Sequence, residues 1–393
     1  MSRLEELIQE LCPDGVEYVK LNTVCKIYDG THSTPKYTDH GVKFVSVENI
    51  NNLYATEKYI SEEDYKKYKV TPQVGDILMT RIGSIGVCTV VERDEPLAYY
   101  VSLALLRPDI KVFNSRFLKY AIESLRGQKE LRKRTLVNAV PIKVNKDDIG
   151  KILVPVPPLP IQREIVRILD NFTELTAELT AELTAELTAR KKQYGYYRDV
   201  LINEIKDVNV RTLDEMCIIS AGGDAPKDNM SINKTDNYTI PIISNGVGEN
   251  AVYGYTNSAR ISEPAVTVAA RGTIGYAEYR DYPYFPIIRL LTVIPRNTNE
   301  LNPKYLFYCI QDRKYKVPIS GIPQLTAPML KKEKILVPSM DVQTHIVSIL
   351  DRFDILCNDL SSGIPAEIEA RQKQYEYYRD KLLTFKPKEV PAN

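Results

Sequence analysis

Histidine is nearly absent from this sequence. His32, His40 and His345 are the three among 393 residues, and they are scattered. A histidine general base or a histidine metal set is therefore not indicated. Six cysteines (Cys12, Cys25, Cys88, Cys217, Cys309, Cys357) include no CxxC pair. They read as buried thiols, which favours a reducing cytoplasm over secretion. There is no phosphate-binding P-loop, so ATP binding is not indicated. Gly83-Ser84-Ile85-Gly86 and Gly272-Thr273-Ile274-Gly275 lack the GxGxxG pattern and read as tight turns. No paired carboxylates and no Ser/His/Asp set stand out. Glu204-Ile205-Lys206, with Asp199 before it, has the residue types of a nuclease carboxylate–lysine pair, but it sits at a helix end and chance explains it. Charge of one sign is missing too. The net charge of +1 withholds the basic excess that marks many nucleic-acid binders, although local patches matter more than the sum. No apolar run approaches the roughly 20 residues that span a bilayer. Arg3, Glu5, Glu6 and Glu10 interrupt any secretory leader. These absences leave a binder rather than a catalyst.

What the sequence has is an internal repeat. Gln162–Asp199 recurs 181 residues later as Gln343–Asp380, without a gap and with 20 of 38 positions identical. KILVP also occurs twice, at Lys151–Pro155 and Lys334–Pro338. Such a repeat fixes architecture first: two similar halves, each a globular region followed by a helix. Short runs rich in β-branched and aromatic residues predict strands at Val42–Val47, Asp76–Thr80, Gly86–Val91 and Leu97–Leu106. A helix is predicted over Phe117–Glu130. The proline-rich exit Pro155–Pro160 ends the first unit and opens a helix. That helix carries Ile165, Ile168, Leu169, Phe172, Leu175 and Leu179 on one face. Its twin carries Ile346, Ile349, Leu350, Phe353, Leu356 and Leu360. Two related stripes invite antiparallel packing. The predicted division is 1–157 globular, 158–206 helical, 207–338 globular, 339–386 helical, and 387–393 a tail.

The helices differ in the middle. The second copy has Ser362-Gly363-Ile364-Pro365, a helix break with Pro365 opening a new helix. The first has three tandem Thr-Ala-Glu-Leu units over Thr176–Leu187, predicted to stay helical. Leucines four apart (Leu179, Leu183, Leu187) drift about 40° per repeat around a helix of 3.6 residues per turn, so no heptad seam is sustained. Thr176, Leu179, Leu183 and Leu187 therefore look like parts of a spacer. Gly195 stands in the helix where the second copy has Glu376, through a kink, a close approach or drift.

Several residues are candidate nucleic-acid readers. Arg132, Lys133 and Arg134, with Arg126 and Lys129, form a basic cluster that could neutralise phosphates or simply be a solvated helix face. The polar loop Gly30–Tyr37 contributes Thr31, Ser33 and Lys36, and the turn around Gly83–Gly86 contributes Arg81 and Ser84. In the second unit the candidates are Lys227, Asn245, Tyr253, Arg271, Thr273 and Arg289. Arginine and asparagine can contact guanine and adenine bidentately, and loops carry specificity on rigid scaffolds. Tyr194, Tyr197 and Arg198, with their twins Tyr375, Tyr378 and Arg379, form the most alike part of the halves. Tyrosine and arginine dominate protein interfaces, so a docking surface presented twice competes with plain packing of the helix.

The tandem architecture, Val154–Asp170 (VPVPPLPIQREIVRILD), the RKKQYGYYRD and RQKQYEYYRD runs, and the TAEL repeats together resemble the specificity subunit of type I restriction–modification systems. The resemblance covers essentially the whole chain, and the globular units match only in outline. It implies an α+β, pseudo-twofold fold. Two similar α/β target-recognition domains are held apart by two long helices packed as an antiparallel coiled coil. Each domain would read one half of a split double-stranded DNA site. Two methyltransferase subunits using S-adenosylmethionine would dock, and up to two motor–nuclease subunits using ATP and Mg2+. This chain would carry no cofactor, no metal and no catalytic residue, and would work in the bacterial cytoplasm without a membrane. The residues alone leave two rivals. One is a coiled-coil scaffold whose globular units bind proteins. The other is an enzyme with its own methyltransferase or nuclease activity, which the missing Asn-Pro-Pro-Tyr/Phe and Walker motifs disfavour.

Overall fold

The computed structural model describes residues 2–206, 208–317, 322–359 and 362–388; residues 389–393 of the sequence-predicted tail lie outside them. The chain forms two compact units, one of residues 1–182 with 368–393, the other of residues 183–367.

Each unit is built on the same four-stranded antiparallel sheet. In the first, Cys25–Asp29 pairs with Leu103–Pro108, which pairs with Ile77–Thr80, which pairs with Cys88–Val90. In the second, the order is Cys217–Ala221, Leu290–Pro295, Ala265–Ala269 and Ala277–Arg280. The two inner strands are mostly apolar in both units and are buried almost throughout, as expected for strands covered on both faces. Cys25 and Cys217 open the matching edge strands, and burial pushes each thiol up to about 12. A smaller sheet packs beside each, with Val42–Val45 parallel to Leu97–Tyr99 in one and Ile240–Ile243 parallel to Phe285–Pro286 in the other. The repeated KILVP forms one strand of an antiparallel clasp in each unit. Leu153–Pro155 pairs with Tyr18–Lys20, and Lys334–Val337 with Asn209–Thr212.

Two sequence expectations are corrected. Leu97–Leu106 is not one strand but two, Leu97–Tyr99 and Leu103–Pro108, which belong to different sheets. The helix expected over Phe117–Glu130 is also two, Ser115–Glu123 and Leu125–Arg132. Ser124 breaks it: its backbone is extended and its hydroxyl accepts from Gly127 N, a local bond that competes with the helix ladder.

The repeated helices are Leu159–Asn203 (45 residues), Met340–Asn358 and Ile364–Leu382. The second copy breaks at the Ser-Gly-Ile-Pro site, and the TAEL copy runs through. The front of each apolar stripe packs on a globular core rather than on the other copy: Ile165 and Leu169 in the first unit, Ile346 and Leu350 in the second. Beyond it the copies meet with their ends exchanged. In the first unit Phe172 meets Tyr378 and Thr173 bonds to Tyr375. In the second, Phe353 meets Tyr197 and Tyr194, Asp354 faces Tyr194, and Cys357 faces Lys191 and Arg190. As one helix number rises the other falls, so each pair is antiparallel. Each unit thus joins the front of one copy to the back of the other. Among the described residues no helix is long and apolar enough to cross a membrane.

Candidate nucleic-acid interface

Each unit has a polar cleft at the same place in its fold, beside the loop that leaves the first strand of the large sheet. A close approach fixes that loop. A Cβ on Gly30 would lie 2.4 Å from the Tyr100 carbonyl, and one on Gly222 would lie 2.1 Å from the Ile287 carbonyl oxygen. Only glycine fits either position.

In the first unit the cleft has a volume of about 660 Å³ and is lined by Thr31, Ser33, Lys36, Lys67, Tyr68, Lys69 and Lys146, with Asp29 and Asp64. Thr31 Oγ1 accepts from Ser33 N at 3.3 Å, and Thr31 N donates to Tyr99 O, so the loop is pinned to the sheet. Asp29 is taken by Arg81. Asp64 pairs with Lys67 at 2.6 Å, which holds its carboxyl below the usual range. Four lysines against two aspartates, each already paired, leave the cleft positive. Lys67, Tyr68, Lys69 and Lys146 were not singled out from the sequence. The run Lys66-Lys67-Tyr68-Lys69 was the available signal, a basic stretch with an aromatic inside it.

The second cleft, about 1020 Å³, is lined by Lys227, Asn245, Tyr253 and Arg289, with Asp224, Asp228, Asn229, Ser244 and Ile288. Asn245 Nδ2 donates to Arg271 O at 2.8 Å, and Thr273 Oγ1 donates to Asn245 O at 3.1 Å. Two sequence candidates therefore hold a third in place.

The structure gives other candidates different work. Arg81 is buried, bonded to Asp29 and Val144 O, so it braces the cleft wall and presents nothing to a ligand. The Arg271 guanidinium is bonded to Gln324 Oε1 at 2.6 and 3.0 Å. In the basic cluster Lys133 and Arg134 both pair with Glu130, whose carboxyl they hold below its usual range against the opposing effect of burial. Arg132 is exposed on the same helix, outside the cleft lining, and Ser84 is exposed at the Gly83–Gly86 turn.

The tyrosine-rich ends divide. Tyr194 is buried and donates to Gln311 at 2.7 Å; burial raises its phenol well above the usual range. Tyr375 is half-buried against Thr173, and burial raises its phenol too. Arg198 pairs with Asp312, and Arg379 with Asp380. What stays exposed is an edge-to-face pair in each copy, Tyr196–Tyr197 at 5.6 Å and Tyr377–Tyr378 at 5.3 Å. Tyr196 and Tyr377, twins in the repeat, are 66% and 63% exposed. Both lie in the repeated RKKQYGYYRD and RQKQYEYYRD runs, beside the candidates Tyr197 and Tyr378. The spacer residues Thr176, Leu179, Leu183 and Leu187 are all half-buried on the continuous helix. Among the described residues no three His, Cys, Asp or Glu side chains cluster as a metal site would require.

Comparison with known proteins places this frame. Residues 13–189 and 205–370 match the family described as "Type I restriction modification DNA specificity domain". The type I specificity subunit S.MpnORF507P of Mycoplasma pneumoniae is 30% identical over 376 residues, covering 93% of this chain and 97% of that one. S.MpnORF89P of the same organism is 39% identical over 290 residues, 70% of this chain and 83% of that one. The EcoR124I/EcoR124II specificity subunit of Escherichia coli is 34% identical over 274 residues, 62% of this chain and 65% of that one. Among solved structures, a chain from a study of complex assembly and conformational transition of the type I restriction–modification system superposes with a TM-score of 0.73 at 16% identity, covering 95% of this chain and 98% of that one. The two repeated halves, each matched in turn over most of its length, show that the chain belongs to the family of type I restriction–modification specificity subunits, which recognise DNA and do not themselves catalyse.

Proposed function

We propose that each unit reads one half of a split double-stranded DNA target through its own cleft, and that the long helix sets the number of unread base pairs between the halves. The observation that carries this is the equivalent position of the two clefts on one scaffold, with different linings: lysines and hydroxyls in the first, Lys227, Asn245, Tyr253 and Arg289 in the second. A shared frame with unlike readers suits an asymmetric target. Exposed Arg132 and the cleft lysines supply phosphate contacts, and polar loop groups supply base contacts. The Tyr196–Tyr197 and Tyr377–Tyr378 pairs are the docking surfaces for two methyltransferase subunits. Those subunits bring S-adenosylmethionine, and up to two motor–nuclease subunits bring ATP and Mg2+.

The test is methylome sequencing of a host that expresses this chain with its methyltransferase subunit, alongside DNA binding by the purified complex across salt concentrations. Methylation at one split sequence, with log affinity falling linearly in log salt, is expected. Absence of any split methylated motif counts against the proposal. Deleting Thr184–Leu187 shortens the helix by about 6 Å and turns its end by about 40°. A base pair advances about 3.4 Å and turns roughly 34–36°. The rotations match and the translations do not. The deletion is expected to remove one base pair from the spacer and leave both half-sites intact. An unchanged spacer would refute the helix as ruler.

A further inference from the structure

Arg289 is one of two described residues other than glycine with a positive φ, at 73°. Three backbone bonds force that conformation. Ile287 N donates to Ile243 O at 2.9 Å, Ala270 N donates to Arg289 O at 2.8 Å, and Gly222 N donates to Leu290 O at 2.8 Å. The chain must turn sharply between the short strand Phe285–Pro286 and the inner strand Leu290–Pro295. Glycine or asparagine would adopt this turn more easily. Strain retained by surrounding bonds is a feature of ligand-binding positions.

The side chain is exposed at the rim of the second cleft. Among the described residues its guanidinium has no hydrogen-bond or ion-pair partner. The other polar groups of the cleft are less free for a bidentate contact. Asn245 gives its amide to Arg271 O, Asn229 gives its own to Asn257, and Ser244 bonds Ala251 O. Lys227 and Tyr253 remain as donors, and neither has two fixed parallel N–H groups; Asp224 and Asp228 only accept. The first unit has nothing comparable. There the matching backbone bond runs from Arg81 N to the carbonyl of Ser102, a buried residue whose hydroxyl accepts from Val47 N.

We propose that Arg289 is the guanine-reading residue of the second unit, its fork contacting O6 and N7 of one base in the half-site that unit recognises. This rests on the reading of the second cleft as a DNA reader.

The test compares three variants of the full chain, each expressed with its methyltransferase subunit, by methylome sequencing and by binding of the complex to oligonucleotides varied one position at a time. Arg289→Gly removes the fork and suits the positive φ, so the fold is retained. Arg289→Ala also removes it. Arg289→Lys keeps the charge without the fork. All three are expected to make one G·C position of one half-site degenerate, with discrimination there falling roughly 5- to 150-fold, while the other half-site and the spacer stay unchanged. An unaltered motif with normal methylation overturns the proposal and leaves the DNA-reading clefts standing. Uniformly weaker binding, a salt slope smaller by about one and no degenerate position overturns it as well, making Arg289 a phosphate contact. A wild-type complex that methylates no split target sinks both readings together.

Discussion

Gln162 and Gln343 are fully buried polar side chains in the same place of each repeat. Gln162 Nε2 donates to Val112 O and Pro157 O, and its Oε1 accepts from Asn114 N, all at 2.7–2.8 Å. Gln343 makes the same three bonds with Glu300 O, Pro338 O and Asn302 N. Asn114 and Asn302 in turn cap the helices Ser115–Glu123 and Pro303–Ile310. One amide thus ties the start of the repeated helix, the proline exit before it and the start of an earlier helix together. Leucine is close in size but leaves three backbone groups, one buried and two half-buried, without their partner. Each costs about 1–3 kcal/mol when unsatisfied. Gln162→Leu and Gln343→Leu are each expected to lose roughly 3 kcal/mol or more of stability on that basis, seen as a lower urea midpoint with an unchanged slope. An unaltered midpoint in either variant would show that the latch carries no weight. The repeat made both glutamines visible as identities in the sequence. Their role was not legible, because each bonds to carbonyls about 50 residues away or across a turn, and backbone carbonyls leave no mark on sequence.

The 45-residue helix contains Gly195 in its interior, and the helix is unbroken there. A Cβ at that position would meet no atom within 4 Å. This answers the question that the sequence left open: neither a kink nor a close approach requires the glycine. Gly195→Ala is expected to stabilise the chain by about 0.5–1 kcal/mol, measured as a raised melting temperature of the second unit's transition. A fall in that temperature would mean that the position depends on glycine after all. At this scale much was legible. The repeat, the helical stretches and the Ser-Gly-Ile-Pro break follow from local periodicity and punctuation; KILVP stood out only as a repeat, and its strand pairing came from the fold. The clefts were only half legible. Thr31, Ser33 and Lys36 lie on one loop and drew attention as a polar stretch. Lys67, Lys69 and Lys146 reach the same cleft from segments 30 to 110 residues away, and only the fold brings them together. Arg81 misled for the converse reason: an arginine in a turn has the chemistry of a reader, but Asp29, two strands across the same sheet, engages it.

At the scale of the whole molecule, the last segment of the chain completes the first unit. Residues after 367 belong with the first 182, not with the residues just before them. Leu383 and Phe385 are buried in the first core beside Phe117. Val16 N donates to Lys386 O at 2.8 Å, and Lys388 N donates to Val16 O at 3.0 Å. Asp380 accepts from Leu125 N at 2.9 Å, where the helix Leu125–Arg132 begins. The first unit is therefore complete only once the last helix exists. The second unit completes itself differently, taking Tyr194 and Ile202 from the middle of the chain. Truncation after residue 367 then has an asymmetric outcome. It removes two buried apolar side chains worth about 1.5–3 kcal/mol each, a helix cap worth about 1 kcal/mol and the Tyr375 and Tyr378 contacts. Together these approach the 5–15 kcal/mol that typically separates folded from unfolded chains. In hydrogen exchange the amides of Leu103–Leu106 are expected to lose most of their protection in the truncated chain. Those of Val266–Val268 and Leu291–Val293, in the core of the second unit, are expected to keep theirs. Equal loss in both sheets would mean that the two units fold as one. Protection retained in both would mean that the last helix is dispensable to the first, which the burial of Phe385 and the cap by Asp380 argue against.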